Sequence, residues 1–125
     1  MPIIEWTEAE LQSWCGDADV AKPLTQQTAS SPVRYALLVS PLCGTCQAGL
    51  RMLEVIQTMQ PQLPIGQVNV NVCRELPYVW KVESVPCLVE LRRGHSMPIR
   101  RRYKLEGITS LYAWLQSAAG ASIQS

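Results

Sequence analysis

The stretch SPLCGTCQAG, residues 40–49, decides how the chain is read. Cys43 and Cys46 stand three apart, behind Pro41 and at the head of a run with helical spacing. Taken alone, such a pair is open to three readings: a redox couple, half of a metal site, or two buried thiols that happen to be close. Its flanks help to separate them. Upstream, YALLV (35–39) is a short continuous apolar run between Pro32 and Pro41, the pattern of a strand covered on both faces. Downstream, Cys46, Leu50, Leu53, Ile56 and Gln57 recur at three and four until Pro61 stops them, so a helix is expected from Cys43 to Gln60. The pair therefore falls where a strand turns into a helix. Cys43 would sit at the helix N-terminus, beside unpaired backbone N–H groups and the positive end of the dipole, and both favour thiolate over thiol. Cys46, nearly one turn on, is within disulfide reach but turned inward. One exposed, activated sulfur and one shielded sulfur are what attack and resolution require.

The rest of the composition narrows the class. A chain of 125 residues is one domain's worth, able to bury a core without a metal or disulfide scaffold. With 47% hydrophobic and 17% charged residues the mix is that of a globular domain. We expect a single domain over 1–125, with an N-terminal helical segment and connector (1–32), a core (33–118) and a tail (119–125). A net charge of +1 gives no global field to attract nucleic acid or a membrane surface. The start, MPIIEWTEAE, has neither the basic nor the apolar region of a signal peptide, and no apolar run approaches the roughly 18 residues of a spanning helix. Five cysteines, three of them single (Cys15, Cys73, Cys87), do not make a secreted disulfide framework. A reducing cytoplasm is the expected location.

The remaining elements alternate in type. TEAELQSW (7–14) opens with Thr7 and Glu10 at capping-box spacing, followed by Leu11 and Trp14. A second helix is expected from Asp19, with Pro23 in its first turn, and LTQQTASSP (24–32) is a polar connector. GQVNVNV (66–72) alternates strictly, which predicts a strand near a sheet edge with Val68, Val70 and Val72 inward. CRELPYVWKV (73–82) predicts a short helix interrupted by Pro77. PCLVELRRGHSMPIRRRY (86–103) predicts two strands around a Gly94 turn, and GITSLYAWLQSA (107–118) an amphipathic helix through Ile108, Leu111, Tyr112 and Leu115. A βαβ unit followed by a ββα unit gives an α/β fold, a mixed central sheet with helices on both faces.

From Val33 to Ser117 the chain resembles the thioredoxin superfamily. The motifs that carry the resemblance are CGTC after an apolar strand and SVPC (84–87), whose Pro86 lies 40 residues beyond Cys46, with LRRG and the terminal amphipathic helix behind them. The resemblance implies a thioredoxin fold and a thiol–disulfide oxidoreductase in cell redox homeostasis, with Cys43 as nucleophile, Cys46 as resolving thiol and a redox-active Cys43–Cys46 disulfide. It implies a cis Pro86 against the dithiol and a Val85 backbone edge that docks substrate, with Leu42, Gly44 and Thr45 on the same surface. No cofactor or metal is implied. Substrates would be disulfide-bearing proteins or small molecules. Electrons would come from a thiol reductant or a thioredoxin-reductase-like enzyme, to a monomer that binds neither nucleic acid nor membrane.

The sequence also departs from the family. Its usual Trp before the first cysteine is Leu42, and its Pro between the cysteines is Thr45. Its buried Asp on the preceding strand falls on Leu37, the Lys often paired with that Asp on Gln67, and a groove-lining Gly on Arg102. Glu90, an acid within CLVEL, is a candidate replacement proton acceptor.

Other readings stay open on the residues alone. A zinc site lacks a second CxxC or a His pair, an iron–sulfur site would borrow Cys87, and haem attachment fails because Gln47 stands where a His is needed. A non-catalytic interaction module of the same fold is the alternative from another class. Arg92, Arg93, Arg100, Arg101, Arg102 and Lys104 hold six of the eleven cations, and the simplest reading is an edge hairpin shielded by charge.

Overall fold

The computed structural model describes residues 3–16 and 32–124. The helix expected from Asp19 and the 24–31 connector lie outside the described residues. Five strands, β1 (Ile4–Glu5), β2 (Val33–Val39), β3 (Ile65–Asn69), β4 (Cys87–Arg92) and β5 (Arg100–Arg102), form one sheet in the order β1-β3-β2-β4-β5. β1, β3 and β2 run parallel; β4 runs antiparallel to β2, and β5 to β4. The helices are α1 (Glu8–Cys15), α2 (Gly44–Met59), α3 (Leu76–Val79) and α4 (Ile108–Gln124).

β2 sits in the centre because its residues are apolar on both faces, and successive side chains feed two cores. Ala36 and Leu38 join Leu11, Trp14, Val68, Leu76 and Trp80 under α1 and α3, whereas Tyr35, Leu37 and Val39 join Cys46, Leu53, Ile56, Leu111 and Leu115 under α2 and α4. The mixed sheet with helices on both faces is the fold class expected from the sequence. Thr7 and Glu10 make the expected reciprocal capping box: the Glu10 N–H donates to Thr7 Oγ1 at 3.1 Å and the Thr7 N–H to Glu10 Oε1 at 2.9 Å.

β3 lies one place from the sheet edge, near which its alternation puts it, with the two residues of β1 pairing outside it, Ile4 opposite Gly66 and Glu5 opposite Gln67. Two local expectations are corrected. β3 stops at Asn69. That side chain accepts the Asn71 N–H, its carbonyl accepts the N–H groups of Val72 and Cys73, and the resulting turn throws Val72 outward, 70% exposed. Pro77 does not interrupt α3; it occupies the first turn, where its missing N–H costs nothing.

The amino-terminal segment is tied down through its tryptophans. A Cβ on Gly66 would lie 2.5–2.6 Å from three atoms of the Trp6 ring, so the indole lies flat on bare backbone. The Arg34 guanidinium lies 4.9 Å from the Trp6 ring centroid and 4.7 Å from that of Trp14, clasped between the tryptophan that links β1 to α1 and the one in the last turn of α1.

The basic hairpin works differently from a charge shield. Gly94 supplies the left-handed turn (φ 86°), and the three residues of β5 are half-buried. Arg100 Nη2 donates to the Trp114 carbonyl at 2.8 Å, and its guanidinium lies 4.0 Å from that indole's centroid. Arg101 donates through Nε and Nη2 to the Trp80 carbonyl, and Arg102 Nη2 to Ser110 Oγ. These arginines bind the edge strand to helices α3 and α4.

Candidate active site

The chain leaves β2 at Val39 and reaches α2 through a tight turn. The Cys43 N–H donates to the Ser40 carbonyl at 3.1 Å, and the Leu42 N–H to Ser40 Oγ at 3.4 Å. Cys43 is the N-cap of α2, with extended backbone (φ −100°, ψ 111°), and its Sγ accepts the Cys46 N–H at 3.1 Å. A sulfur thus does what a serine or aspartate oxygen does at other N-caps, taking a hydrogen bond from a helix-start N–H. The two cysteines are joined as a disulfide, their Cα atoms 5.2 Å apart. Cys43 is half-buried and Cys46 fully buried, the asymmetry expected from their positions.

Leu42 stands beside the pair, 93% exposed, and Gly44 and Thr45 are exposed with it. Strand register brings the second motif to the same place. Cys87 pairs with Leu38, one residue short of the end of β2, so Val85 and Pro86 lie beside the origin of the dithiol turn. The Val85–Pro86 peptide is cis, both residues are half-buried, and Val85 packs against both cores. The segment is tied through the Tyr103 hydroxyl, which accepts the Glu83 N–H at 3.1 Å.

Beneath the dithiol the surroundings are apolar. Leu37 and Leu88 pair across β2 and β4, both fully buried in the core that holds Cys46. A Cβ at Gly49, one turn beyond Cys46, would lie 2.6 Å from Leu105 Cδ1 and 3.4 Å from Leu37 Cδ2, so this bare position lets both leucines close against α2.

Glu90 does not replace the missing acid. It pairs with Tyr35, four residues upstream of Val39, and so lies towards the end of the sheet away from the dithiol. It is 1% exposed and ion-paired with Arg100 Nε at 2.7 Å and Arg92 Nη2 at 3.6 Å. Its partners follow from register, because Arg100 sits opposite it on β5.

Nor does Cys87 join the dithiol in a metal site. Although it follows Pro86, it points into the α1/α3 core, and Cys46 into the other. Among the described residues no three His, Cys, Asp or Glu side chains converge as ligands. Burial pushes the Cys87 thiol up to about 11, and pushes Cys15 and Cys73 up as well.

That has a consequence for alkaline stability. The folded state holds the Cys87 proton more tightly than the unfolded chain does. Stability should be unaffected below about pH 8 and fall as pH rises from about 9 to 11, by about 2–3 kcal/mol for Cys87 alone. Urea unfolding across that range, in a reduced Cys43→Ser/Cys46→Ser background, should show a slope that Cys87→Ala makes shallower. An unchanged slope would mean that the folded protein tolerates the thiolate.

No family model matches the chain. It is 33% identical over 85 residues to the thioredoxin-like protein YusE of Bacillus subtilis, covering 68% of this chain and 78% of that one. Its backbone is similar to solved thioredoxins of low identity. A variant thioredoxin from Halobacterium salinarum matches with a TM-score of 0.67 at 20% identity, covering 93% of this chain and 88% of that one. Fasciola hepatica thioredoxin gives 0.66 at 16% (93% and 97% covered), and Chlamydomonas reinhardtii thioredoxin f2 gives 0.70 at 13% (93% and 95%).

Proposed function

Because this chain belongs to the thioredoxin superfamily, we propose that it is a thiol–disulfide oxidoreductase that reduces or exchanges disulfides in proteins or small molecules. The observation that carries the proposal is the asymmetric dithiol: Cys43 Sγ capping α2 at the surface, with Cys46 buried one turn behind it. In the reduced protein the Cys43 thiolate attacks a substrate disulfide. A bond forms between Cys43 Sγ and one substrate sulfur, and the other leaves as thiolate and takes up a proton. Cys46 then loses its proton and attacks Cys43 Sγ, forming the 43–46 disulfide and expelling the second substrate thiolate. Two electrons pass to substrate, and an external thiol or a reductase restores the dithiol.

The Val85–Pro86 edge beside the pair would hold the substrate backbone in strand-like fashion, with Leu42, Gly44 and Thr45 as the opposite wall. The free, buried thiols of Cys15, Cys73 and Cys87 support work in a reducing compartment such as the cytoplasm, in cell redox homeostasis.

Insulin reduction under dithiothreitol tests the proposal. Wild type should accelerate it and Cys43→Ser should fall to the background rate. Cys46→Ser should accumulate mixed disulfides that mass spectrometry maps to Cys43. Equal rates for wild type and Cys43→Ser would leave a non-catalytic interaction module in place of the enzyme. Trapping through another cysteine would reverse the sulfur roles.

A further inference from the structure

The stretch from Trp80 to Pro86 links α3 to β4 and ends in the Val85–Pro86 edge beside the dithiol. Little within the stretch itself fixes it. Lys81, Glu83 and Ser84 are exposed, while Val82 and Val85 pack inward. Lys81 holds φ at 57°, the left-handed region that a residue with a Cβ seldom occupies unless its surroundings impose it. The hydrogen bonds show what imposes it. The Lys81 N–H donates to the Tyr78 carbonyl at 3.2 Å and the Val82 N–H to the Pro77 carbonyl at 2.8 Å, which ties the start of the stretch to α3. The other ties come from the edge strand. Arg101 puts two donors on the Trp80 carbonyl, at 2.9 and 2.7 Å, and the Tyr103 hydroxyl accepts the Glu83 N–H at 3.1 Å. Arg101 and Tyr103 stand two apart at the end of β5, so their side chains share a face, while Arg100 and Arg102 reach α4 on the other.

We propose that Arg101 and Tyr103 are positioning residues for substrate, a two-point clamp that fixes the stretch before Pro86 and so aims the Val85 backbone at an incoming peptide. The clamp ends at Glu83. None of the hydrogen bonds among the described residues takes up the Val85 N–H or carbonyl, so both remain for a substrate strand. Val85 is thus set by what holds Glu83, two residues before it. An exposed loop left free would lose conformational freedom each time a substrate docked, whereas a clamped one has already lost it in folding. The clamp therefore acts on substrates that present a backbone. A small disulfide without peptide groups meets only the sulfurs and gains nothing from an aimed edge. Disulfides within polypeptides are the substrate class this arrangement favours. Neither side chain takes part in the sulfur exchange itself; each acts through the loop it holds.

The clamp's role rests on the oxidoreductase reading above, and two kinds of measurement keep them apart. Tyr103→Phe keeps the ring and removes the acceptor. Glu83 is exposed, so its N–H turns to water and the unfolding midpoint should stay near that of wild type. With insulin under dithiothreitol, KM should rise about fivefold at an unchanged kcat, whereas bis(hydroxyethyl) disulfide should be reduced at the wild-type rate. Arg101→Lys, which keeps the charge and gives up the two-donor fork, should raise the insulin KM in the same way. An unchanged KM in either variant would overturn the two-point clamp. So would an equal loss with both substrates, which would assign the effect to a disturbed dithiol. In the oxidised protein, NMR should show amide exchange at Glu83, Ser84 and Val85 about fivefold faster in Tyr103→Phe. Faster exchange confined to Glu83 would also overturn the proposal, because the hold would then not reach the docking edge. A wild type that reduces no insulin would defeat the enzymatic reading, and the exchange rates would still decide whether Tyr103 holds the edge.

Discussion

Arg100→Ala is expected to lower stability by about 3–5 kcal/mol, much of what a domain of this size has to lose. Glu90 is 1% exposed, and its Oε1 accepts from Arg100 Nε at 2.7 Å. Removing the guanidinium leaves a buried carboxylate with Arg92, at 3.6 Å, as its remaining counter-charge among the described residues. The same change deletes the donors to the Trp114 carbonyl and Ser117 Oγ and the stacking on the Trp114 ring, so α4 loses its tie to the edge strand. Urea unfolding should show a lower midpoint, and an apolar pair at both positions (Glu90→Leu with Arg100→Leu) should recover most of the loss. A cost below about 1 kcal/mol would show that Arg92 alone neutralises Glu90.

Leu37→Asp should cost roughly 4–6 kcal/mol, combining the loss of a fully buried leucine with burial of an acid that has no partner. It should also quicken the resolving step. Cys46 is buried among Leu37, Leu88 and other apolar groups, which disfavours its thiolate, and with Glu90 committed to arginines its proton must leave to water or to the departing thiolate. In wild type, release of the leaving thiol from a mixed disulfide should be slow near neutrality and accelerate between about pH 6 and 9. In Leu37→Asp the acid supplies a local proton acceptor and release should be faster at neutral pH. Stopped-flow measurement of both proteins decides it: a flat wild-type profile together with an unchanged rate in the variant would make the missing acid irrelevant.

Much of this was legible from residues 33 onward. YALLV, CGTC and the helical spacing to Ile56 placed the dithiol at the strand–helix junction, because a central strand and the helix that follows it carry strong periodicity. β1 was not legible. Two residues cannot display a period, and Ile4, 58% exposed, pairs through backbone alone. Val72 misled because the alternation of GQVNVNV continues past the point where the Asn69 side chain turns the chain. Glu90 and the arginines misled for a different reason. Charge in a sequence reads as surface, and only the register that sets Arg100 against Glu90 shows that the cluster reaches inward. The hold of Tyr103 on the Glu83 N–H left no pattern, since it depends on the side-chain conformation of a single residue.

The direction of the strands also gives the molecule two poles. β1, β2 and β3 all run towards the dithiol, and the register that sets Ile4 against Gly66 puts it level with Ala36, in the middle of the sheet. α4 begins near Arg102, where Ser110 meets it, and by Leu115 and Ser117 it has reached the level of Tyr35 and Arg100, still moving away. The later turns of α4 therefore lie at the pole remote from the sulfurs. A protein built this way can be held by the later turns of α4, and its reactive pair still faces outward to whatever arrives.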